Sequence, residues 1–262
     1  MIYQLIIKKD FQEINYKRKI IQDFFSVLLR VVIFFFITEF IISNNSNNSG
    51  NLNYFIFFIT GICLLDLMTS MVTAIPSMTN RLKIEGTLNE ILLLPVSLMK
   101  YWALSSLSLL SSITIKLIFY IIVAYAFSGH ILFSQNDLFI NFVALASLLT
   151  SSFLMSIIFA SHVINASNTH VYLNGFISIT VIMGGIFFPT SLILHEFNAL
   201  SLFMHISAPL SLLRISLESS GFNEYILLLV CLIYPLILFF IAKTLTSYSI
   251  KKYKENGKIV MN

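Results

Sequence analysis

Apolar residues occur in long, unbroken runs along most of the chain, and short polar stretches separate these runs. Each run is close to the roughly 20 residues that an α-helix needs to cross the hydrocarbon core of a bilayer. None shows the strict alternation of apolar and polar residues that marks a membrane β-strand. The pattern predicts an all-α integral membrane protein with about six transmembrane helices, at 25–43, 53–77, 101–128, 138–160, 171–189 and 224–246.

The composition supports this prediction. The 262 residues are 57% hydrophobic and only 11% charged, and the mean hydropathy is +0.88, whereas soluble domains carry about 25% charged residues. Segment 1–23 is charged and lacks the compact apolar core of a cleavable signal peptide. Cys63 and Cys231 lie inside apolar runs without a metal-type partner at a useful spacing, which argues against a zinc site or a disulfide.

The basic residues indicate an orientation. Most of the 16 Lys and Arg residues fall on one predicted side of the membrane. They are Lys8, Lys9, Lys17, Arg18, Lys19, Arg81, Lys83, Lys100, Lys243, Lys251, Lys252, Lys254 and Lys258. Positively charged loops stay in the cytoplasm, so both termini and the connection 78–100 are predicted to be cytoplasmic.

The N-terminal segment 1–23 is predicted to be an amphipathic helix on the cytoplasmic leaflet. Ile7, Phe11, Ile14 and Ile21 recur near helical spacing, and the lysines occupy other faces. The alternative is a solvated tail whose periodicity is accidental.

A polar stretch at 81–97 separates the second and third predicted spans. Thr87 can cap a helix start, and Glu90, three residues on, can complete a capping box. Pro95 then ends the helix. A short, bounded helix at 84–95 is a poor lipid anchor, so we expect it to dock a partner.

Four charged residues are predicted to lie inside spans: Arg30, Glu39, Asp66 and Lys116. A charge that faced lipid would cost about 3 kcal/mol or more, so each should face protein or water. Lys116 lies at a depth where it can pair with Glu39 or Asp66, and Arg30 can extend its head towards the interface. We favour structural pairing over an ion relay or a substrate path, because a relay needs a longer chain of ionisable groups.

The chain breaks again near 184–190. Gly184, Gly185 and Pro189 are predicted to end a helix at membrane depth. Segment 190–223 is too short for two spans and too apolar for an aqueous loop. A re-entrant hairpin on the outer side satisfies both limits, and an ordinary interfacial loop is the alternative.

Side chains around this hairpin have predicted positions of their own. His195, Glu196 and Arg214 are expected to reach the lipid headgroups. Phe187 and Phe188 are expected to border the exit of a substrate path. The alternative is a lid that only seals a dimer.

No catalytic or nucleotide-binding motif is present: the sequence lacks G-x-x-x-x-G-K-[ST], H-E-x-x-H and G-x-S-x-G. If ATP drives this protein, the ATPase is another chain. An intramembrane lipid-modifying enzyme remains an alternative, because polar residues predicted on the outer side could form a catalytic cluster. They are scattered along the sequence: His130, Asp137, His195, Glu196 and His205. An ion-driven carrier or channel also stays open, although such carriers often have broken helices in both halves.

Two strings carry a family resemblance. Glu85-Gly86-Thr87-Leu88, with Pro95 after it, resembles the cytoplasmic coupling helix of type-2 ATP-binding-cassette (ABC) exporter permeases. The Gly-x-Phe-Phe-Pro turn within 184–191, with the Pro-Leu-Ser-Leu-Leu-Arg element at 209–214, is similar to the last third of the same family. The likeness covers essentially the whole chain and is greater to the drug-, antibiotic- and lipo-oligosaccharide-exporting branch. Asn89 departs from it, since members often carry further acidic residues there.

The resemblance implies a permease half in a bacterial cytoplasmic membrane. Two separate ABC ATPase subunits would hold ATP and Mg, this chain would bind no cofactor and no nucleic acid, and a second copy or a related permease would complete the path. The cargo would be amphipathic, drug-like or lipid-linked.

The single permease domain 1–262 would divide into 1–23, 24–77, 78–100, 101–189, 190–223, 224–246 and 247–262. Coupling to the ATPase would fall to Glu85, Gly86, Thr87, Leu88, Glu90, Leu94 and Pro95. Candidates for the substrate path are Glu39, Asp66, Lys116, Phe187, Phe188 and Pro189.

Overall fold

The computed structural model describes residues 16–43, 51–93, 97–129, 138–166, 169–188, 198–215 and 223–255. Every regular element in these ranges is helical. The helices are α1 (Tyr16–Ser43), α2 (Asn51–Ile84), α3 (Leu88–Leu93), α4 (Leu98–Ser128), α5 (Leu138–Asn165), α6 (Thr169–Met183), α7 (Asn198–Ser201), α8 (Ser207–Leu213) and α9 (Glu224–Glu255).

Five helices, α1, α2, α4, α5 and α9, are long and apolar enough to cross a membrane. The shortest of them have 28 residues, and at 1.5 Å per residue this exceeds a hydrocarbon core of about 30 Å. The predicted all-helical architecture, with several helices long and apolar enough to span a membrane, is therefore confirmed. In place of about six long spans, the described residues contain five long helices and one shorter apolar helix, α6.

The fifth predicted span, 171–189, is too long. Helix α6 has 15 residues and ends at Met183. The amide of Gly184 still bonds the Thr180 carbonyl at 2.8 Å, but Gly185 then takes a left-handed φ of 74° and turns the chain. A Cβ atom on Gly184 would lie 2.6 Å from Cγ2 of Ile206, so a glycine is needed where the next segment packs against the helix end.

The boundary predicted between an interfacial helix at 1–23 and a first span also differs. Helix α1 runs without a break from Tyr16 to Ser43, so residues 16–23 belong to the long helix, and residues 1–15 lie outside the described part. The segment 16–43 contains no glycine or proline that would end a helix. Its one Asp, Asp23, is held inside the bundle by Lys116.

Contacts between side chains give the direction of each long helix. Helices α1 and α4 run parallel, because Phe24 contacts Phe119 and Phe35 contacts Phe127. Helix α2 runs antiparallel to α1, since Arg30 pairs with Asp66 and Phe35 contacts Phe55.

Helices α2, α5 and α9 run in the same direction. Lys83 near the end of α2 contacts the end of α5, and Asn165 at the end of α5 contacts Ser249 of α9. Helix α6 runs back along α5, as the contacts Phe159–Phe176 and His162–Tyr172 show. The start of α1 and the end of α9 therefore lie at one end of the bundle. We call it the basic end, and it also holds Lys83, Lys100 and Lys252.

Helix α2 occupies the centre of the bundle: 78% of its most apolar stretch is buried, against 11% for α1. The outer faces of α1 and α9 carry exposed large apolar side chains, among them Phe25, Phe36, Phe40, Leu232 and Phe240. Such faces suit lipid or a neighbouring protein rather than water.

Two prolines lie inside long helices, Pro76 in α2 and Pro235 in α9. Each lacks the N–H that would bond the carbonyl four residues earlier. Helix α5 compensates at both places. The Ser156 hydroxyl donates to the Val72 carbonyl at 3.0 Å, and the Ser147 hydroxyl donates to the Cys231 carbonyl at 2.8 Å. Both helices can continue because the carbonyl that each proline leaves without a helical donor accepts a serine hydroxyl.

Candidate functional site

The first candidate site is the predicted docking segment at the basic end. Helix α2 continues to Ile84, a turn at 85–87 follows, and α3 spans only Leu88–Leu93, within the predicted 84–95. Gly86 has a φ of 77°, which glycine adopts without strain. Leu94 and Pro95 lie outside the described residues.

The hydroxyl of Thr87 is placed differently from the capping-box prediction. It donates to the Leu82 carbonyl at 3.4 Å, at the end of α2, whereas the predicted bond was to the first turn of α3. The backbone carbonyl of Thr87 accepts from the Ile91 amide at 3.2 Å and so begins the next helix. Thr87 therefore joins the two helices, which keeps the turn between them short.

Two residues of α3 attach it to the bundle. Leu88 is 1% exposed and belongs to a hydrophobic cluster of the basic end, which includes Leu82, Leu98, Trp102, Ile164 and Tyr253. Asn89 accepts a hydrogen bond from the Tyr253 hydroxyl of α9 at 3.1 Å. Helix α3 thus contacts α2 and α9, and its Leu88 shares this cluster with residues of α4 and α5.

The opposite side of the segment is exposed. Ile84 and Leu93 are 78% and 64% exposed, and Glu85, Gly86 and Glu90 are exposed as well. Glu85 lies 3.7 Å from Arg81, and both side chains are about half exposed. We call these five residues, 84–86, 90 and 93, the α3 surface: two apolar side chains beside two carboxylates.

The second candidate site is a charge network near the middle of the bundle. Asp66 is its centre. Its carboxylate accepts from Nη1 of Arg30 at 2.8 Å and from the Tyr120 hydroxyl at 3.3 Å. The Asp66 side chain is only 7% exposed, and these donors replace the water that a buried carboxylate loses.

Lys116 extends the network. Its Nζ lies 3.4 Å from Asp23 and 3.9 Å from Asp66, and it donates to the Ser70 hydroxyl at 3.1 Å. Two carboxylates and two cations balance in charge, which favours a structural clamp between α1, α2 and α4. Of the two partners expected for Lys116, Asp66 is adjacent, whereas Glu39 is exposed on α1 and lies outside the network.

The third feature is the surroundings of Arg214, which was expected at the lipid headgroups. That expectation is wrong, because Arg214 is 1% exposed. Its guanidinium donates to the carbonyls of Gly185 and Ile186 at 2.7 and 2.8 Å, and to Thr60 Oγ1 at 3.1 Å. These carbonyls follow the end of α6, where a cation is favourable to the helix dipole.

Helix α2 completes the Arg214 site. The guanidinium also donates to the Phe57 carbonyl and stacks 3.6 Å above the centroid of the Phe57 ring. Gly61 makes this approach possible, since a Cβ there would lie 2.3 Å from Nη2 of Arg214. Arg214 therefore joins residues 184–188 and the 209–214 element, two parts of the second resemblance string, into one structural unit on α2.

The residues predicted to border the exit path, 187–189, do not share one environment beside the Arg214 site. Phe187 is half-buried and stacks on Phe34 of α1, with ring centroids 6.0 Å apart. Phe188 is exposed, and Pro189 lies outside the described residues. Within the hairpin prediction at 190–223, the described part 198–215 holds α7 and a buried α8.

Of the five polar residues that kept an intramembrane enzyme open as an alternative, only His205 lies within the described part of the chain. His205 is buried and stacks on Phe176, and His130, Asp137, His195 and Glu196 lie outside the described residues. Within the described ranges, no group of three His, Cys, Asp or Glu side chains could hold a metal ion.

Four roles were missed in the sequence: those of Gly61, Ser147, Ser156 and Tyr253. A single glycine or serine in an apolar run carries no periodic signal. The prolines at 76 and 235 were the available clue for the serines, because each proline inside a span requires a donor from a neighbouring helix.

Comparison with models of known protein families and with the sequences of curated proteins gives no match to this chain.

Proposed function

We propose that this chain is the membrane permease half of an ATP-driven exporter, which moves an amphipathic, drug-like or lipid-linked substrate and is coupled to separate ATPase subunits. The observation that carries the proposal is helix α3. It is anchored by Leu88 and Asn89 on one side and presents the exposed α3 surface on the other.

An ATPase subunit can drive movement of the permease only if the segment that it binds is rigidly attached to the transmembrane helices. Helix α3 meets this condition, because its buried Leu88 packs in one cluster with residues of four long helices. Protein interiors are close-packed and transmit displacements. A shift of α3 would therefore be carried into α2, α4, α5 and α9 as a rigid-body motion.

The chemistry of the α3 surface suits a protein partner in water. Ile84 and Leu93 expose apolar side chains and Glu85 and Glu90 expose carboxylates, and protein interfaces combine apolar and polar side chains in this way. In this proposal the basic end faces the cytoplasm, as positively charged membrane-protein segments do. ATP and Mg would be held by the partner chain.

The proposal also includes a second permease copy and an outer exit. The apolar faces of α1 and α9 are available to lipid or to that copy. Phe188 is exposed beside the Arg214 unit, where it would border the path of a cargo that leaves outward. In this proposal the balanced network around Asp66 holds the helices together, and nucleotide hydrolysis in the partner drives transport.

The test uses the tagged chain purified from its native membrane and reconstituted in proteoliposomes. We expect a P-loop ATPase to co-purify in stoichiometric amount and to hydrolyse ATP. Glu90→Lys reverses a charge on the α3 surface and should reduce both by at least tenfold, without changing membrane insertion. Glu224→Lys makes the same change at the opposite end of the bundle, at the start of α9, and should change neither. The proposal is contradicted if the unaltered chain brings no ATPase, or if Glu90→Lys retains both properties.

A further inference from the structure

A groove of about 560 Å³ opens on the outside of the bundle near the basic end. It lies between the last turns of α5, the first turn of α6 and the second half of α9. Tyr172 and Tyr248 lie on its rim and are exposed. Tyrosines are enriched where a membrane meets water, because the ring is apolar and the hydroxyl is polar.

The lining changes from apolar to polar along the groove. On α5, Ile158 and Phe159 precede His162 and Asn165, and on α9 Leu245 precedes Lys252. Both helices run towards the basic end, so the apolar part lies deeper in the bundle and the polar part nearer the end. A ligand that fits this gradient has a polar head and an apolar tail.

The charges around the polar part favour an anion. Lys252 is exposed, and none of the lining residues is acidic. The carbonyl end of α5, which would repel an anion, is covered by Lys83, whose Nζ donates to Val163 and Ala166 at 3.2 and 3.0 Å. Helix α6 begins at this groove, and the start of a helix carries partial positive charge.

Asn165 adds a hydrogen-bond acceptor to the polar part. Its Nδ2 donates to the Ser249 carbonyl at 3.0 Å, while its buried Oδ1 has no partner within the described part of the chain. An unpaired buried acceptor is costly. Because Oδ1 has no exposed surface, a ligand hydroxyl can donate to it only if the Asn165 side chain turns towards the groove.

We infer that this groove binds an anionic glycerophospholipid of the adjoining leaflet, with a hydroxyl-bearing headgroup such as that of phosphatidylglycerol. The phosphate lies between Lys252 and His162, the headgroup hydroxyl donates to Asn165, and an acyl chain lies along Phe159 and Leu245. This inference requires membrane insertion and does not depend on the proposed ATPase.

The test is a titration of the purified full chain in detergent, followed by native mass spectrometry. The probes are phosphatidylglycerol, phosphatidylcholine with the same acyl chains, and glycerol phosphate as a free headgroup. We expect phosphatidylglycerol to bind more tightly than phosphatidylcholine and glycerol phosphate not to compete. Lys252→Gln should weaken phosphatidylglycerol binding about fivefold, the value of one basic residue near an anionic surface, and leave phosphatidylcholine binding unchanged.

Lys251→Gln is the matched control. Lys251 is the neighbouring exposed lysine, lies 3.9 Å from Glu255 and is absent from the groove lining, so its loss should leave the affinity unchanged. Equal affinities for the two lipids, or equal effects of the two variants, would overturn the inference. Competition by glycerol phosphate would instead show a site for a soluble phosphate and would overturn the assignment to a lipid.

Discussion

The Ser147 hydroxyl lies 2.8 Å from the carbonyl of Cys231, the acceptor that Pro235 leaves without its helical partner. The same relationship recurs between Ser156 and Val72, opposite Pro76. Two helices with internal prolines are thus held by hydroxyls from a third helix, α5. This explains the buried serines at positions 147 and 156 of that helix.

Removing either hydroxyl should destabilise the fold. We expect Ser147→Ala or Ser156→Ala to lower the free energy of unfolding by about 1–2 kcal/mol, because a backbone carbonyl loses its donor. Thermal unfolding in detergent measures the effect. Ser152→Ala is the control, since Ser152 Oγ is buried on the same helix without a hydrogen-bond partner among the described residues.

A double variant isolates the cause. Replacing Pro235 with Ala returns an N–H to the helix, so Ser147→Ala should cost less in that background. An equal cost of Ser147→Ala in both backgrounds would mean that the hydroxyl acts elsewhere than on the Cys231 carbonyl.

Asp66 should be the most sensitive member of the charge network. Asp66→Asn leaves Arg30 and Lys116 without their shared carboxylate, and breaking a fully buried pair costs about 3–5 kcal/mol. The Arg30 side chain is 43% exposed, so we expect about 2 kcal/mol, measured by thermal unfolding. Asp23→Asn, which removes a contact of Lys116 alone, should cost less. A larger loss for Asp23→Asn would contradict the central position of Asp66.

Gly61 should tolerate no side chain. Gly61→Ala places a Cβ 2.3 Å from Nη2 of Arg214 and 2.4 Å from the Ile186 carbonyl, so we expect a loss of about 1–3 kcal/mol. Gly175→Ala is the matched comparison, because a Cβ there meets nothing within 4 Å. Alanine favours a helix more than glycine does, so this second change should be neutral or stabilising in the same unfolding assay. Similar losses at both sites would show that the Arg214 contact is not the reason.

Tyr253→Phe should weaken the coupling of ATP hydrolysis to transport without unfolding the protein. It removes the 3.1 Å hydrogen bond to Asn89 and keeps the ring in the hydrophobic cluster. If α3 transmits motion as proposed, the amount of substrate transported per ATP hydrolysed should fall two- to fivefold while the complex stays assembled. Tyr225→Phe changes an exposed tyrosine at the start of the same helix and should leave this ratio unchanged. An unaltered ratio in Tyr253→Phe would mean that the bond to α9 carries no motion.

The helices could be predicted from the sequence because hydropathy is a property of single segments. The approach of Lys116 to Asp66 could be expected for the same reason, since depth along a span follows from residue count. The position of Arg214 could not be derived in this way. A lone arginine in an apolar stretch is expected at the surface, and its burial depends on four acceptors that come from distant parts of the chain.

The end of α6 is a second feature that could not be predicted from the sequence. The apolar run continues past Met183, so hydropathy extended the span to 189. The helix ends earlier because Gly185 turns the chain and Gly184 admits Ile206. Such an ending depends on a packing partner some twenty residues away, which a local pattern does not contain.

Trp102 is the one tryptophan of the chain, and it is fully buried in the cluster that anchors Leu88. The protein therefore carries a fluorophore at the junction between α3 and the long helices. Excitation at 295 nm would report this junction alone, without labels. A shift in emission wavelength on adding a ligand, or a partner without tryptophan, would give the time course of rearrangement at the basic end.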